Sequence, residues 1–253
     1  MIKVNNISYA YNTKNVIQNI SFNLKAGEIL TILGPNGGGK TTLLKCLNNI
    51  LMPKTGSVLI NETNISKMSN QDIACLMALV PQKLETLFPF TVQETIAMGL
   101  YAKSKFLSKA TQNKLIDHAI DKIGIAYLKN RYINELSGGE KQLVFVARAI
   151  IQDTPILLFD EATSNLDINH TATILRAVKS LAKDKNVTII AIIHDINLAI
   201  RFSDKIMYLN GGDQSDTLSI DKAIKPKLIS KFYNIDLKDI EFNQVSKTIN
   251  VRL

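Results

Sequence analysis

A glycine-rich segment between an apolar run and a stretch of helical spacing constrains this chain most. Residues 34–41 read GPNGGGKT and fit the pattern Gly-x-x-x-x-Gly-Lys-[Ser/Thr]. The pattern is typical of a phosphate-binding loop when a strand precedes it and a helix follows, and residues 28–33 and 40–51 have those two patterns. Glycines let successive backbone N–H groups turn inward around a phosphate, and a helix N-terminus adds positive potential. The segment therefore predicts nucleotide binding.

Each residue of this loop has an expected partner on the nucleotide. Lys40 is expected to reach the β- and γ-phosphates, and the Thr41 hydroxyl to coordinate Mg²⁺. ATP and Mg²⁺ are the expected ligands. The nucleotide-binding residues predicted from this segment are Gly34, Pro35, Asn36, Gly37, Gly38, Gly39, Lys40, Thr41 and Thr42.

A second motif is an apolar strand that ends in two acidic residues. Residues 156–159 read ILLF and are followed by Asp160 and Glu161. In open α/β sheets, ligands bind at the carboxyl ends of the strands. Asp160 is expected to hold Mg²⁺ through water, and Glu161 to polarise the attacking water. Apolar runs commonly end in Asp, so the acidic pair alone is a weak signal. The acidic pair and the phosphate loop together indicate ATP hydrolysis.

Strand-like and helix-like runs alternate in a way that predicts the fold class. Residues 2–10 and 16–24 read as strands joined by a polar turn, and residues 91–153 read as mostly helical. Strands followed by helices return after residue 154, while no second hairpin strand is expected between residues 211 and 224. The prediction is an α/β fold: a P-loop NTPase core with a parallel central sheet, an N-terminal antiparallel β subdomain and an inserted helical subdomain. The expected boundaries are one domain over 1–253, with the core at 1–84 and 154–253 and the helical subdomain at 85–153.

Composition excludes several classes of protein. Of the 253 residues, 46% are apolar and 21% charged, an ordinary globular balance. No apolar run approaches the roughly 20 residues of a membrane helix, and residues 1–9 lack a signal-peptide pattern, so a cytosolic protein is expected. Cys46 and Cys75 are the only cysteines, which argues against a disulfide framework or a cysteine-rich metal site.

The net charge of +8 has three interpretations. It arises from 30 basic and 22 acidic side chains. Nucleic-acid binding and attraction to a membrane or membrane partner both use an excess of basic residues. The third interpretation is a surface of solvated lysines. The lysines are spread through predicted helices, which favours the third interpretation, and no nucleic-acid partner is expected.

Residues 136–142 carry a resemblance to a known family. They read LSGGEKQ and resemble the signature of the ATP-binding subunits of ABC transporters; the resemblance extends over essentially the whole chain. In that family the serine and glycine amides contact the γ-phosphate held by the other subunit. The resemblance implies that Ser137, Gly138 and Gly139 complete the site of a partner copy in an ATP-dependent homodimer. The alternative is a capping turn for the helix that begins at Gly138.

Other positions match single elements of the family. Gln82 matches a Mg²⁺-contacting glutamine, and His194 matches a histidine that contacts the γ-phosphate. The resemblance therefore implies a metal-binding set of Thr41, Gln82 and Asp160 and a catalytic set of Glu161, His194 and Lys40.

The dimer interface and the adenine site are also implied by the resemblance. Residues 164–167 match a loop that crosses the dimer interface, which places Asp167 with Ser137 at that interface. Tyr11 matches the aromatic residue on which adenine stacks, with nearby Tyr9 as the alternative. His170 is expected at the surface with no assigned role.

Two further segments narrow the resemblance. Residues 194–199 (HDINLA) and 88–91 (FPFT) are similar to ATPases of importers for iron chelates, haem and cobalamin. This implies two membrane permease subunits and an extracytoplasmic substrate-binding protein as partners, with the ATPase peripheral at the inner face of the membrane. Phe88 and Phe90 are candidate permease contacts, with core packing as the alternative. Other open possibilities are the ATPase of another metal-ion importer, a soluble ABC ATPase without a permease in cluster assembly or nucleic-acid maintenance, and a nucleotide sensor without turnover.

Overall fold

The structure, a computed structural model, describes residues 2–82, 88–103, 106–161, 166–214, 216–243 and 246–251. Within these residues the strands are β1 Ile2–Tyr11, β2 Lys14–Leu24, β3 Ile29–Leu33, β4 Thr55–Ile60, β5 Thr63–Asn64, β6 Met77–Val80, β7 Ile156–Asp160, β8 Thr188–Ile192, β9 Lys205–Asn210, β10 Asp213–Gln214, β11 Leu218–Ser219, β12 Ile240–Asn243 and β13 Thr248–Val251. The α-helices are α1 Lys40–Leu47, α2 Asn70–Leu76, α3 Val92–Ala97, α4 Lys109–Ile123, α5 Gly138–Ile151, α6 Ile168–Lys185, α7 Ile196–Phe202, α8 Ile220–Ala223 and α9 Pro226–Tyr233. This mixture of strands and helices is the predicted α/β class.

Internal contacts divide the chain into two compact units. The first comprises Met1–Met68 and Thr188–Leu253, and the second comprises Ser69–Val187. The helical subdomain predicted at 85–153 falls inside the second unit, which also contains β6, β7 and α6. The subdomain boundaries at 84 and 154 remain a prediction.

The first unit begins with an antiparallel sheet of order β2-β1-β4-β5. Ile2 of β1 lies opposite Leu24 of β2 on one side and opposite Ile60 of β4 on the other. Along β2 the side chains of Ile20, Phe22 and Leu24 are buried while those between them are exposed, the period of two that a half-buried strand requires. The predicted N-terminal antiparallel sheet is therefore confirmed.

Parallel strands form a second sheet in the first unit. β3 lies between β8 and β9, with Ile29 opposite Ile189 and Leu30 opposite Lys205. All residues of β3 and β8 are buried, as expected for parallel strands whose two faces are both covered. The chain leaves the carboxyl end of β3 at residue 33 and enters α1 at residue 40. The glycine-rich loop thus lies at the edge where parallel sheets bind ligands.

The helix after the loop is shorter than predicted. α1 ends at Leu47 and not at residue 51. Asn49 takes a left-handed conformation with φ 55°, which Asn tolerates better than most residues. The carbonyl of Lys45 then accepts the N–H groups of Ile50 and Leu51, which closes the helix end.

The prediction that the segment 211–224 lacks a second hairpin strand is wrong. Gly211 and Gly212 have φ values of 59° and 95°, a left-handed conformation that glycine adopts readily, and they turn the chain back on β9. β10 then pairs antiparallel with β9, and β11 pairs with the other end of the same strand. Each pairing is only two residues long, which is too short for the alternation of apolar and polar residues in a strand to be recognised in the sequence.

The second unit contains a parallel strand pair and a group of helices. β6 and β7 are parallel, with Val80 opposite Phe159, so both strands end at the same edge. α3 and α4 each pack against α5. α4 has the predicted bounds because its ends carry strong signals: the Ser108 side chain caps the first turn, and Gly124 ends the helix at φ 76°.

Candidate nucleotide-binding site

The phosphate loop is shaped by backbone that only glycine accommodates. Gly34 has φ 144°, and a Cβ there would lie 2.0 Å from the carbonyl oxygen of Leu209. Gly39, at φ 96°, is the N-cap of α1, and a Cβ there would lie 2.8 Å from the carbonyl oxygen of Val16. No side chain caps α1, and its first turn carries no acidic residue. The positive end of this helix therefore suits an anion.

Lys40, the first residue of α1, is buried within the loop. It is only 4% exposed, and its ammonium group donates to the carbonyl oxygens of Gly34 at 2.9 Å and Pro35 at 2.8 Å. A buried ammonium is costly unless charge or dipoles surround it. The carbonyl dipoles stabilise this one, and a bound phosphate would stabilise it further.

The remaining predicted residues of the loop lie around Lys40 in sequence and differ in exposure. Asn36 and Gly37 are exposed at the outer turn of the loop, while Gly38 is buried and donates through its N–H to Pro35 O at 3.2 Å. Thr41 is half-buried and Thr42 is buried in the first turn of α1. Threonine at position 41 thus retains contact with solvent, as a hydroxyl that ligates a partly hydrated Mg²⁺ requires.

Two more predicted residues of the first unit lie at strand ends. Tyr11 is the last residue of β1 and is 46% exposed. The Tyr9 ring meets it edge-on, with centroids 5.0 Å apart. His194 is exposed between β8 and α7, and the next residue, Asp195, caps α7 by accepting the N–H groups of Asn197 and Leu198. The cap defines where the helix begins, immediately after His194.

The two acidic residues of the second motif are buried. Asp160 is 6% exposed and ends β7; Glu161 follows it and is 8% exposed. Glu161 has φ 48°, a left-handed conformation that is strained for a residue with a Cβ by about 1 kcal/mol or more. Strain of this kind concentrates at functional sites.

The structure brings Gln82 to Glu161. The side-chain amide of Gln82 donates a hydrogen bond to the Glu161 carboxylate. The two residues are 79 positions apart in the chain. They meet because β6 and β7 run parallel and in register, so that the segments leaving them emerge side by side.

Ser137 is the N-cap of α5. Its hydroxyl oxygen accepts the N–H of Glu140 at 3.3 Å, and the Glu140 carboxylate accepts the Ser137 N–H at 2.9 Å, which forms a capping box. The Ser137 hydroxyl also donates to that carboxylate at 2.8 Å. Hydrogen bonds from the Ser137 N–H and hydroxyl hold the pKa of Glu140 below its ordinary value. The capping role considered from the sequence is thus present, and the Ser-x-x-Glu spacing was the signal for it.

The signature glycines differ in their surroundings. A Cβ at Gly138 would meet no atom within 4 Å, so nothing described in this chain requires glycine there. A Cβ at Gly139 would lie 3.3 Å from a methyl carbon of Leu166 and 3.6 Å from the Nδ1 of His170. The start of α5 and the start of α6 are therefore neighbours within the second unit.

Asp167 caps α6 and is paired with His170. One carboxylate oxygen accepts the His170 N–H at 2.8 Å, and the other lies 2.8 Å from His170 Nδ1. The backbone hydrogen bond and the imidazole together lower the pKa of Asp167. His170, predicted as a surface residue without a role, thus contacts a predicted interface residue. Residues 164 and 165 of the same predicted loop lie outside the described residues.

Comparison with known proteins decides the family. The model of the family described as ABC transporter matches residues 17–164, which include the phosphate loop, the signature and both acidic residues. The chain belongs to the ABC transporter family. It therefore carries an ABC-type ATPase domain, as predicted.

Relatives within the ABC transporter family align over nearly the whole chain. The hemin import ATP-binding protein HmuV of Pseudoalteromonas translucida is 34% identical, with 94% of each chain covered. The iron(3+)-hydroxamate import ATP-binding protein FhuC of Bacillus subtilis is 31% identical, with 96% of this chain and 91% of the relative covered. The predicted resemblance to iron-chelate and haem importer ATPases is therefore confirmed.

A solved structure shows the same fold. It is the dimeric post-hydrolysis state of the ATP-binding cassette MJ0796 bound to ADP and Pi, which matches with a TM-score of 0.79 at 26% identity. The match covers 87% of this chain and 99% of that one. The predicted ABC ATPase fold is confirmed. No helix among the described residues has the length and hydrophobicity needed to span a membrane.

Proposed function

We propose that this chain is the ATP-hydrolysing subunit of an ABC importer for an iron chelate, haem or a cobalamin-type compound. The observation that carries the enzymatic part is the environment of Glu161, a buried and strained carboxylate held by Gln82. The import part is supported by relatives named for hemin and hydroxamate import.

The groups of the first unit are assigned to the nucleotide. Lys40 and backbone N–H groups within residues 36–42 bind the β- and γ-phosphates, because this buried cation and uncapped helix end attract an anion. The exposed ring of Tyr11 stacks on adenine, with Tyr9 supporting it edge-on. His194 contacts the γ-phosphate.

Mg²⁺ fits the donor set that the chain offers. Thr41, Gln82 and Asp160 supply a hydroxyl, an amide and a carboxylate oxygen, and Mg²⁺ prefers oxygen ligands. The Gln82 amide uses its nitrogen on Glu161, so its oxygen is the atom suited to the cation. The described residues contain no group of three His, Cys, Asp or Glu side chains that would hold a metal alone, which agrees with an ion held largely by phosphates and water. The ion supplies neutralisation of charge on the phosphates.

Glu161 is the proposed general base, and a second copy of the chain completes each site. Glu161 accepts a proton from the attacking water, and Gln82 orients its carboxylate.

Ser137, Gly138 and Gly139 of one copy contact the γ-phosphate bound by the other. Asp167 lies at the same interface, since its neighbour Leu166 lies beside Gly139. The Ser137 hydroxyl exchanges its bond to Glu140 for one to phosphate.

The importer would contain two permease subunits and an extracytoplasmic substrate-binding protein, with this chain peripheral at the inner face of the membrane. ATP-driven closure of the dimer would move the permeases, and hydrolysis would reset them.

Uptake of labelled haem, ferric hydroxamate and cobalamin by a deletion strain tests the proposed import function directly. Loss of one uptake activity identifies the substrate; unchanged uptake of all three supports another metal-ion importer or an ATPase without a permease.

The enzymatic part is tested with Lys40→Ala. Removing the ammonium should weaken binding of labelled Mg²⁺–ATP by about tenfold or more, because a charge-assisted contact to two phosphates is lost. Lys45→Ala, in the same helix but near its last turn, is the matched control and should bind as wild type. Normal binding and turnover in Lys40→Ala would remove the phosphate-loop assignment.

A further inference from the structure

The C-terminal part of the chain contacts the phosphate loop through one hydroxyl. Tyr233 is the last residue of α9, and its hydroxyl oxygen accepts the N–H of Gly34, the first glycine of the loop, at 3.2 Å. The ring packs edge-on against Tyr208, with centroids 6.3 Å apart. Burial raises the pKa of Tyr233 to about 12, so the hydroxyl remains neutral at physiological pH. The contact spans 199 positions of sequence.

The end of β9 joins the same helix to the far side of the loop. The Asn210 side-chain amide donates to Phe232 O of α9 at 3.0 Å. The next residue, Gly211, donates through its N–H to Gly38 O at 3.3 Å. α9 is thus bonded directly to the first glycine of the loop and indirectly, through residues 210 and 211, to Gly38.

A second part of the C-terminal region contacts the helix that begins after His194. The Asn197 amide donates to Ile249 O at 3.0 Å, and its oxygen accepts the Ile249 N–H at 2.8 Å. One side chain therefore pairs with both polar groups of a β13 residue, in the manner of another strand. Ile249 is buried and pairs with Phe242 of β12. Asn197 belongs to the segment HDINLA, and this pairing gives that asparagine a structural purpose.

We propose that α9, β12 and β13 form a C-terminal brace that positions the nucleotide site, with Tyr233 and Asn197 as its two positioning residues. Tyr233 holds the phosphate loop in the shape that binds triphosphate. Asn197 holds the start of α7, and hence His194, in place for hydrolysis. The brace lies beyond residues 17–164, the part of the chain that the family model matches. The inference rests on the functions proposed above for the phosphate loop and His194.

The two contacts predict different kinetic defects. Tyr233→Phe removes one oxygen and should raise both the KM and the Kd for ATP by about three- to tenfold with kcat within about twofold, because it loosens a binding element. Asn197→Ala should lower kcat by about three- to tenfold with KM within about twofold, because it loosens a residue that acts on hydrolysis. Asn197→Asp retains the acceptor for Ile249 N–H and should lie between Asn197→Ala and wild type.

Matched controls come from the same region. Tyr208→Phe also removes a buried hydroxyl from the aromatic cluster, but one that donates to Ala223 O. Lys247→Ala removes an exposed ion pair with Asp221 from the same hairpin as Ile249. If the brace served stability alone, each variant and its control would lower the melting temperature, and both KM and kcat would stay at their wild-type values.

Amide hydrogen exchange supplies a readout independent of turnover. Tyr233→Phe should speed exchange in peptides covering Gly34, and Asn197→Ala in peptides covering Ile249, while the controls leave both unchanged. Wild-type kinetics, wild-type Kd and wild-type exchange in Tyr233→Phe and Asn197→Ala would overturn the brace. A wild-type chain that binds ATP without hydrolysing it would contradict the proposed function instead, and the Kd and exchange of Tyr233→Phe would still decide the phosphate-loop half of the brace.

Discussion

The side-chain amide of Gln82 donates a hydrogen bond to the carboxylate of Glu161. Both residues follow strands of one parallel pair, Gln82 after β6 and Glu161 after β7. A carboxylate that accepts a hydrogen bond from an amide is restricted in orientation. The left-handed backbone of Glu161 adds a second constraint, since its neighbours must maintain a conformation that costs energy. A water-polarising base needs this combination of fixed direction and burial.

Glu161→Gln should abolish turnover and preserve ATP affinity. The substitution keeps the shape of the side chain and loses the proton acceptor, which costs about 10²–10⁴-fold in rate. The variant should accumulate as an ATP-bound dimer on size exclusion. Glu135→Gln, at an exposed position of the second unit, is the control and should turn over normally. Turnover of Glu161→Gln within a few-fold of wild type would assign the base to another residue.

A mixed dimer should test whether the site is shared between two chains. One chain carries Lys40→Ala and the other carries Ser137→Arg. Each homodimer then has two defective sites, because Arg places a bulky cation where a γ-phosphate contact is proposed. In the mixed dimer, one site pairs an intact phosphate loop with an intact signature. Nucleotide occlusion should therefore return at about one ATP per mixed dimer, the number of intact sites it retains.

Filter trapping of labelled ATP on purified mixed dimers measures that occlusion, with both homodimers as controls. Ser137 also caps α5, so the melting temperature of Ser137→Arg is recorded to separate a lost cap from a lost phosphate contact. Should each site be built within one chain, mixing would restore no occlusion.

Phe88 and Phe90 should contribute to transport without contributing to ATP hydrolysis. Their side chains are 64% and 39% exposed, and their rings lie 6.0 Å apart at a tilt. An exposed aromatic pair beside the predicted junction at residue 84 suits a short helix of a permease. Phe88→Ala or Phe90→Ala is expected to reduce substrate uptake in cells while leaving the ATPase rate of the purified chain unchanged.

The control for this pair is Phe106→Ala, another phenylalanine of the second unit that is 84% exposed. It should leave both uptake and hydrolysis unchanged. A loss of cooperative unfolding in Phe88→Ala or Phe90→Ala, with no selective loss of uptake, would instead support the packing interpretation.

Glu28 should stabilise the first unit in a pH-dependent way. Burial acts to raise its pKa, but the Lys25 N–H at 2.8 Å and the Lys205 ammonium at 2.9 Å outweigh burial and lower it. A folded-state pKa below the unfolded value of about 4.3 stabilises the protein above that pH, and the contribution is lost as the pH falls through the folded pKa. Glu28→Gln should therefore reduce the free energy of unfolding at pH 7 by roughly 1 kcal/mol.

Urea denaturation at pH 7 and at about pH 4 measures this effect, and the difference from wild type should shrink at the lower pH. Glu62→Gln, in the exposed turn between β4 and β5, is the control and should have the free energy of unfolding of wild type at pH 7. An equal loss of stability at both pH values would show that the Glu28 charge is not responsible.

The sequence by itself determined the motifs whose chemistry lies in neighbouring residues. The phosphate loop, the acidic pair after β7 and the signature are each defined within eight residues or fewer, because backbone geometry and helix capping act over one or two turns. The bounds of α4 follow from the same short range, through Ser108 and Gly124. The capping box of Ser137 and Glu140 was equally open to sequence reasoning.

Only the tertiary structure decided which distant residues touch. The sequence of residues 226–233 does not predict the contact between Tyr233 and Gly34. The sequence of residues 194–199 does not predict the pairing of Asn197 with Ile249. The sequence also could not decide whether Phe88 and Phe90 are exposed, since a pair of aromatic residues is found both in cores and on surfaces. Such contacts follow from the order and register of strands, and these depend on how the apolar faces of whole elements pack together. A pattern within a few neighbouring residues does not predict that packing.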